Sequence, residues 1–240
     1  MKRIIVLILL LIPYFNYAQF AIIKDTDGYV NVREKANAKA KIVGKIKDND
    51  IVYLNPDEFS VSNWLYVFYE NNAQDQITGY IHSSRLKLVS DFKKIEYQKS
   101  ADNTVFFKND IEKIEVEIAI QTFNSTKNST KFSKKDGFYY AYKNKPIWGT
   151  DGGLPNSSYK FIKVKIKGKD LEVPQELLEN LFQPTIIEQA NDFKYIEINY
   201  DKKKDVLYIS SLNSDGAGSY VVLFIFEKST FKELKTIIPF

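Results

Sequence analysis

Few residue types in this chain could do chemistry. The 240 residues include one histidine, His82, and no cysteine. The sequence therefore excludes a thiol nucleophile, disulfides, a lipid anchor on cysteine, cysteine metal sites and zinc centres that need two or three histidines. With no thiol to activate and no second histidine to share a metal, we expect His82 to be a hydrogen-bonded structural imidazole.

Carboxylates are the remaining catalytic candidates. Aspartate and glutamate together number 30, so residue types alone leave open a glycosidase with paired carboxylates. The sequence has no glycine-rich phosphate loop between a strand and a helix, no nucleophile elbow and no metal-ligand spacing. We therefore expect no catalytic residue, no metal and no cofactor, and the glycosidase is the least favoured hypothesis.

One group of aromatic residues has the composition of a binding groove. Its members are Tyr29, Trp64, Tyr66 and Tyr80. Aromatic-lined grooves bind extended peptides in other small β modules, so these side chains predict a wall for an extended peptide or glycan. The alternative is that Trp64 packs in the core or at its rim, as large aromatic residues in small barrels commonly do.

A second group of candidates lies in two glycine-containing loops. Its members are Trp148, Asp151, Asp215 and Tyr220. The stretch LNSDGAGSY, which begins at Leu212, is similar to the serine-glycine loops that periplasmic lysozyme inhibitors insert into the enzyme cleft. For both loops the alternative is an ordinary turn. In the loop that contains Trp148 and Asp151, the tryptophan would hold that turn in place.

The first group sits in a run of short strands broken by turns. DGYVNVR begins at Asp27, IVGKI, IVYL and NWLYVFY follow, and GYIHSSRL begins at Gly79. This order resembles the bacterial SH3-like (SH3b) family over about residues 20–89. The resemblance implies a small β-barrel that docks a peptide, a glycan or another protein. The hairpin before Gly79 is longer and more polar than is common in that family, which leaves the shape of this rim open.

The first eighteen residues have the pattern of an export signal. Lys2 and Arg3 precede an apolar run, and a short polar-aromatic patch ends at the small residue Ala18. The run is short for a permanent membrane anchor, and no later stretch is apolar for long enough to cross a bilayer. We expect cleavage after Ala18 and an exported protein, periplasmic or extracellular, with no transmembrane segment. An uncleaved anchor is the alternative.

The rest of the chain divides into two predicted domains. Residues 19–90 form the SH3-like barrel, residues 91–102 a charged linker, and residues 103–240 a β-rich domain of unrecognised family. The barrel is small, so most of its core is expected from six apolar residues, Val30, Val32, Ile42, Ile46, Val52 and Val67.

Three patterns define the second domain. KIEVEIAIQTF, from Lys113, alternates strictly, with apolar residues at every second position, and predicts a strand with one solvent-exposed face. PQELLENLF, from Pro174, predicts the one soluble helix, and SYVVLFIFE, from Ser219, is apolar on both sides and predicts the central strand of a sheet. The predicted fold class is mainly β, a small SH3-like β-barrel followed by a β-rich antiparallel-sheet domain with one short helix.

Charge and motifs together give the functional hypothesis. The net charge of +4 falls to +2 when the two positive charges of Lys2 and Arg3 leave with the signal, and lysines are mixed with acids along the chain. No clustered positive field is visible in the sequence, so we expect no nucleic-acid partner. The favoured hypothesis is a secreted, non-catalytic protein whose SH3-like module docks cell-wall peptide, peptidoglycan or an envelope protein. The alternative is an inhibitor or immunity-type protein that blocks a cell-wall hydrolase.

Overall fold

The structure is a computed structural model that describes residues 19–55, 61, 63–70, 76–186, 189–190 and 193–238. The predicted signal, residues 1–18, lies outside the described residues, and so does the tip of the polar hairpin at 71–75. The described part is mainly β, with several antiparallel sheets and one short helix. The predicted fold class is confirmed at this level.

Seven strands form the N-terminal sheet, in the order β3-β2-β6-β5-β4-β1-β7. Their bounds are β1 (Gln19–Ile23), β2 (Tyr29–Arg33), β3 (Ile42–Lys47), β4 (Ile51–Leu54), β5 (Trp64–Glu70), β6 (Gln76–His82) and β7 (Leu86–Leu88). Pairing is antiparallel throughout.

Alternating apolar residues of these strands build the N-terminal core. Five of the six predicted members are buried in it, namely Val30, Val32, Ile46, Val52 and Val67. Ile42, the sixth, is 44% exposed, so its assignment to the core is wrong. The pairing of β2 with β3 slips by one residue between Val32 and Arg33. A bulge of this kind reverses the alternation and points the first residue of β3 away from the core.

Five strands form the outer sheet, in the order β16-β15-β11-β10-β9. Their bounds are β9 (Glu96–Ala101), β10 (Thr104–Asn109), β11 (Ile114–Thr122), β15 (Ser157–Ile166) and β16 (Lys169–Glu172). The predicted strand around β11 is confirmed, with Ile114, Val116 and Ile118 buried and Glu115 exposed.

Another five strands form the middle sheet, in the order β22-β21-β20-β19-β8. Their bounds are β8 (Lys93–Lys94), β19 (Ile196–Asp201), β20 (Val206–Asn213), β21 (Tyr220–Glu227) and β22 (Thr230–Ile237). SYVVLFIFE is β21, an interior strand of this sheet, but the central position that was predicted for it belongs to β20.

The three sheets stack as layers, with the middle sheet covered on both faces. Val222, Phe224 and Phe226 of β21 pack against the outer sheet. Their alternating neighbours, Val221, Leu223 and Ile225, pack against Phe20, Ile22 and Tyr53 of the N-terminal sheet. These last six residues, together with Val206 and Tyr208, belong to one cluster that we call the interface core. A core on each face explains why β21 is apolar on both sides.

The predicted linker is largely strand. Residues 93–94 are β8 of the middle sheet and residues 96–101 are β9 of the outer sheet, with Ile95 buried between them. This stretch therefore crosses from one layer of the fold to the next.

The predicted helix is shorter than its pattern suggests. It covers four residues, α1 (Gln175–Leu178), and Pro174 caps its start. Further along, Leu181 and Phe182 form bridges with Trp148 and Ser158. The backbone oxygen of Asn180 accepts from the N–H of Trp148, and the N–H of Phe182 donates to the oxygen of Trp148, so these groups do not continue the helix. Leu178, Leu181 and Phe182 remain buried.

Two small sheets complete the described part. They are formed by β12 (Phe132–Lys135), β13 (Phe138–Tyr142) and β14 (Lys145–Pro146), and by β17 (Gln189–Ala190) with β18 (Phe193–Lys194). Residues 124–137, which their polar composition predicts to be a mobile loop, include β12. Phe132 anchors this stretch against the rings of Tyr142 and Phe182.

Candidate functional site

Two cross-strand pairs of rings line one face of the β5–β6 hairpin. Trp64 lies opposite His82 and Tyr66 lies opposite Tyr80 in the antiparallel register. The ring centroids are 5.4 Å apart in the first pair and 5.0 Å apart in the second, and both pairs meet edge to face. We call these four residues the aromatic ladder. They lie on the face of the β5–β6 hairpin opposite to Val67, which is buried in the N-terminal core.

The ladder combines fixed geometry with partial exposure. All four side chains are half-buried, and edge-to-face pairs of this kind contribute about 0.5–1.5 kcal/mol beyond the area they bury. Further along the same face of β5, Phe68 contacts Tyr66 and packs against the interface core. The ladder is therefore anchored to the middle sheet at one end.

His82 joins the ladder and is hydrogen-bonded as predicted for a structural imidazole. Its Nδ1 accepts from the backbone N–H of Ser84 and lies 2.8 Å from the Ser84 hydroxyl oxygen. Both contacts come from within two residues of His82, and they fix the orientation of its ring. The sequence did not reveal its place beside Trp64, which depends on the register of β5 with β6.

Tyr29, the fourth residue of the predicted groove, is not a member of either ring pair. The described pairing of β2 with β6 consists of Arg33 opposite Tyr80, and Tyr29 precedes Arg33 by four residues on the same face of β2. Its ring contacts Lys45, whose Nζ lies 4.2 Å from the ring centroid. The residue of β2 on the ladder's face beside Tyr80 is thus Arg33, whose guanidinium donates to the backbone oxygen of Ala40.

The two loops that carry the second group lie against each other. The ring centroids of Trp148 and Tyr220 are 6.1 Å apart. Next to them, the hydroxyl of Ser214 donates to the backbone oxygen of Gly149 at 3.0 Å. Gly218 packs so closely on the backbone of residues 150–151 that a Cβ at this glycine would lie 3.1 Å from the nearest carbon.

Within this junction the four candidates have different roles. Tyr220 is fully buried, its hydroxyl donates to the backbone oxygen of Phe182, and burial raises its pKa well above the ordinary value. It therefore holds the fold together and does not face a ligand, which corrects the prediction for this residue. Trp148 is half-buried, while Asp151 and Asp215 are exposed on the two adjacent loops.

Among the residues that the structure describes, three carboxyl groups have lowered pKa values, and each has a cationic or hydroxyl partner. Hydrogen bonding from Tyr200 and then from Lys167 lowers the pKa of Asp205. Lys232 lowers that of Glu227. Burial opposes the shift at Glu179, but hydrogen bonds from two lysines outweigh it. These three groups are ionised at neutral pH, so none of them is a general acid.

Metal clusters and long apolar helices are absent from the part of the chain that the structure describes. There no group of three or more histidine or acidic side chains is arranged to hold a metal ion. None of the helices described there is long and apolar enough to cross a membrane.

Comparison with known proteins gives no relative. No family model matches the chain, and searches of the curated proteins and of the solved structures find no match either.

Proposed function

We propose that this chain is an exported, non-catalytic binding protein whose SH3-like N-terminal part holds an extended cell-wall peptide or glycan on the aromatic ladder. In this proposal residues 1–18 are a cleaved export signal. The observation that carries the proposal is the register that sets Trp64 against His82 and Tyr66 against Tyr80 on one face.

The ladder suits an extended, weakly polar chain. Its rings offer flat apolar surface to a sugar ring or to a peptide side chain, while the indole N–H and the tyrosine hydroxyls can bond to hydroxyl or amide groups. The rings contact one another and sit on a paired hairpin, so little side-chain entropy is lost when a ligand binds.

Retention on purified, insoluble peptidoglycan tests this proposal. The protein should be retained in a saturable way, and the Trp64→Ala, Tyr80→Ala double variant should lose that retention while its thermal unfolding still shows a folded protein. The matched control is the Phe138→Ala, Tyr140→Ala double variant, which removes two rings that are 62% and 57% exposed elsewhere on the surface. Loss of retention in the control but not in the ladder variant would refute the ladder as the site.

A specific observation also favours the inhibitor hypothesis as a second candidate. The Oδ1 atom of the buried Asn213 accepts hydrogen bonds from the hydroxyls of Tyr159 and Ser211 and from the backbone N–H of Thr185. These bonds fix the base of the loop, while residues 215–217 at its tip are exposed. A fixed base and an exposed tip suit a loop that enters an enzyme cleft.

Inhibition of a muramidase would separate this candidate from the first. If the loop is the probe, the protein inhibits the enzyme and the Asp215→Ala variant does not. Inhibition that is unaffected by Asp215→Ala would exclude the loop as the probe.

A further inference from the structure

A cleft of about 1070 Å³ opens between the N-terminal sheet and the middle sheet. Its base includes Ile22, Val206 and Ile225, which belong to the interface core. One wall is formed by β3 and the β3–β4 turn, and the other by the β19–β20 turn, the β21–β22 turn and β22. The cleft therefore exists because the two sheets pack together.

Positive charge dominates the lining of this cleft. Seven lysines face four carboxylates there, the lysines being Lys45, Lys47, Lys203, Lys204, Lys228, Lys232 and Lys235 and the acids Asp50, Glu70, Glu227 and Glu233. We call this site the lysine cleft. It carries an excess of three positive charges at neutral pH.

Most of these lysines lack an acidic partner. Lys232 pairs with Glu227 at 2.5 Å and Lys235 with Glu233 at 3.6 Å. Asp50 accepts a hydrogen bond from the hydroxyl of Tyr69 at 2.6 Å. Among the described residues, no carboxylate lies within ion-pair distance of the other five lysines, which are Lys45, Lys47, Lys203, Lys204 and Lys228.

The two walls meet at one edge of the cleft. Asn49 of the N-terminal sheet accepts hydrogen bonds through Oδ1 from Lys24 and from Lys204 of the middle sheet. Burial and then the nearby Lys204 lower the pKa of Lys24. Lys228 and Lys204 also add to the lowering of the pKa of Glu227 that Lys232 causes. Lys204 contributes to both shifts, after burial at Lys24 and after Lys232 at Glu227, so its charge acts on groups of both walls.

The outer face of the outer sheet provides a contrast. A second surface depression there is lined by four lysines and four carboxylates. These charges alternate across the strands, for example with Lys163 opposite Glu117 and Lys165 opposite Glu115. Such pairs neutralise one another, so a surplus of unpaired lysines is a feature of the lysine cleft and not of every lysine-rich face of the protein.

We propose that the lysine cleft binds a ligand carrying several phosphate groups, held between Lys45 and Lys47 on one wall and Lys203, Lys204 and Lys228 on the other. Lysine ammonium groups are compact charges that suit phosphate oxygens, and no arginine is present in the cleft to favour bidentate binding of carboxylates. A ligand with successive phosphates can reach both walls at once. This site is independent of the aromatic ladder.

Isothermal titration of the whole protein with linear inorganic polyphosphate tests the proposal. A second arm uses a glycerol-phosphate oligomer, which distinguishes a phosphodiester chain from a phosphoanhydride chain. Binding in either arm, at low salt of about 50 mM and weakened by added salt, supports the proposal, and the tighter arm identifies the source of the phosphates.

Variants of each wall make the test specific. The Lys45→Ala, Lys47→Ala pair and the Lys203→Ala, Lys204→Ala pair should each weaken binding about tenfold, because each removes two unpaired charges. The control pair, Lys127→Ala with Lys135→Ala, removes two exposed lysines outside the cleft and should change affinity less than about twofold.

Three outcomes would overturn the proposal. One is that neither phosphate polymer binds, and another is that the control pair weakens binding as much as the wall pairs do. The third is tighter binding of a single-stranded DNA oligonucleotide that the wall pairs abolish, since the cleft would then be a nucleic-acid site.

Discussion

Single residues of the aromatic ladder act through their partners on the neighbouring strand. Trp64 is held edge to face by His82, whose ring is in turn fixed by its hydrogen bond from Ser84. A ring fixed in this way presents one face to a ligand and loses little freedom on binding. The same logic makes Tyr220 a structural residue, because both its ring and its hydroxyl are used inside the fold.

Gly149 at the junction of the two candidate loops should tolerate no side chain. Its φ is +95°, and an added Cβ would lie 2.0 Å from the backbone oxygen of Phe182. We expect Gly149→Ala to lower the free energy of unfolding by more than about 1 kcal/mol, measured by urea denaturation. Gly153→Ala, in the same loop with no atom within 4 Å of its Cβ, is the control and should stay within about 0.5 kcal/mol of the parent. Equal stabilities for the two variants would contradict this.

At the residue scale, the side chains that share a face were predictable where strand alternation alone determines them. Residue type and alternation predicted Trp64, Tyr66 and Tyr80 as one group, and these three residues share a face. The position of Tyr29 relative to these rings depends on the register of β2 with β6, and the alternation of β2 alone does not predict that register. The burial of Tyr220 was not predictable, because it depends on what covers β21, and a tyrosine side chain suits a surface and a core equally.

At the scale of elements, hairpin tips connect separate sheets. The β19–β20 turn carries Asp205, whose carboxylate accepts from the hydroxyl of Tyr200 at 2.5 Å. The same carboxylate pairs with Lys167 of the β15–β16 turn at 3.0 Å. One acid thus ties a turn of the middle sheet to a turn of the outer sheet.

Removing this acid should destabilise the fold in a pH-dependent way. The folded state holds the pKa of Asp205 below its ordinary value of 3.8, mainly through the hydrogen bond from Tyr200. Its contribution is therefore fully present above that value and is lost as the pH falls through the lowered pKa. We expect Asp205→Asn to cost about 1 kcal/mol at pH 7, with a difference from the parent that shrinks below about pH 4.

Urea denaturation from pH 7 down to pH 2 measures this difference. The control is Asp170→Asn, which removes an exposed carboxylate from a surface pair with Lys165 and should change stability little at any pH. A cost for Asp205→Asn that stays constant over the whole range would contradict the assignment.

The elements themselves were predictable to different degrees. Strict alternation predicted β11 and its solvent-exposed face, because the period of a strand is set locally. The stop of α1 after Leu178 was not predictable, since it depends on backbone bridges from Leu181 and Phe182 to Trp148 and Ser158, which are distant in the sequence. The slip beside Arg33 that exposes Ile42 is likewise invisible in the periodicity of one strand.

At the scale of the whole molecule, the middle sheet makes the N-terminal and C-terminal parts one structure. β21 contributes one set of alternate residues to each of its two interfaces. Its apolar residues on both sides predicted the central strand, and the structure places it next to the centre. The layer that covers its second face was not predictable. The lysine cleft was not predictable for a related reason, because its lysines come from β3 and from residues more than 150 positions later.

We expect the two parts to unfold together. Trp64 lies in the N-terminal sheet and Trp148 in the C-terminal part, and they are the two tryptophans of the chain. Trp148→Phe and Trp64→Phe variants each leave one fluorescent probe. In each variant the fluorescence and far-ultraviolet circular dichroism curves in urea should superimpose, because separation would expose the interface core. A fluorescence transition that precedes the circular dichroism transition in either variant would show independent domains.

Trp64 itself reports most directly on the central proposal, the binding of an extended cell-wall chain by the aromatic ladder. In the Trp148→Phe variant, titration with soluble peptidoglycan fragments should change the emission of Trp64 in a saturable way. The added substitution Tyr80→Ala should weaken that response. Retention of the same variant on insoluble peptidoglycan shows that it still binds. If the emission of Trp64 then stays unchanged up to high fragment concentrations, the ligand lies elsewhere and the account is contradicted.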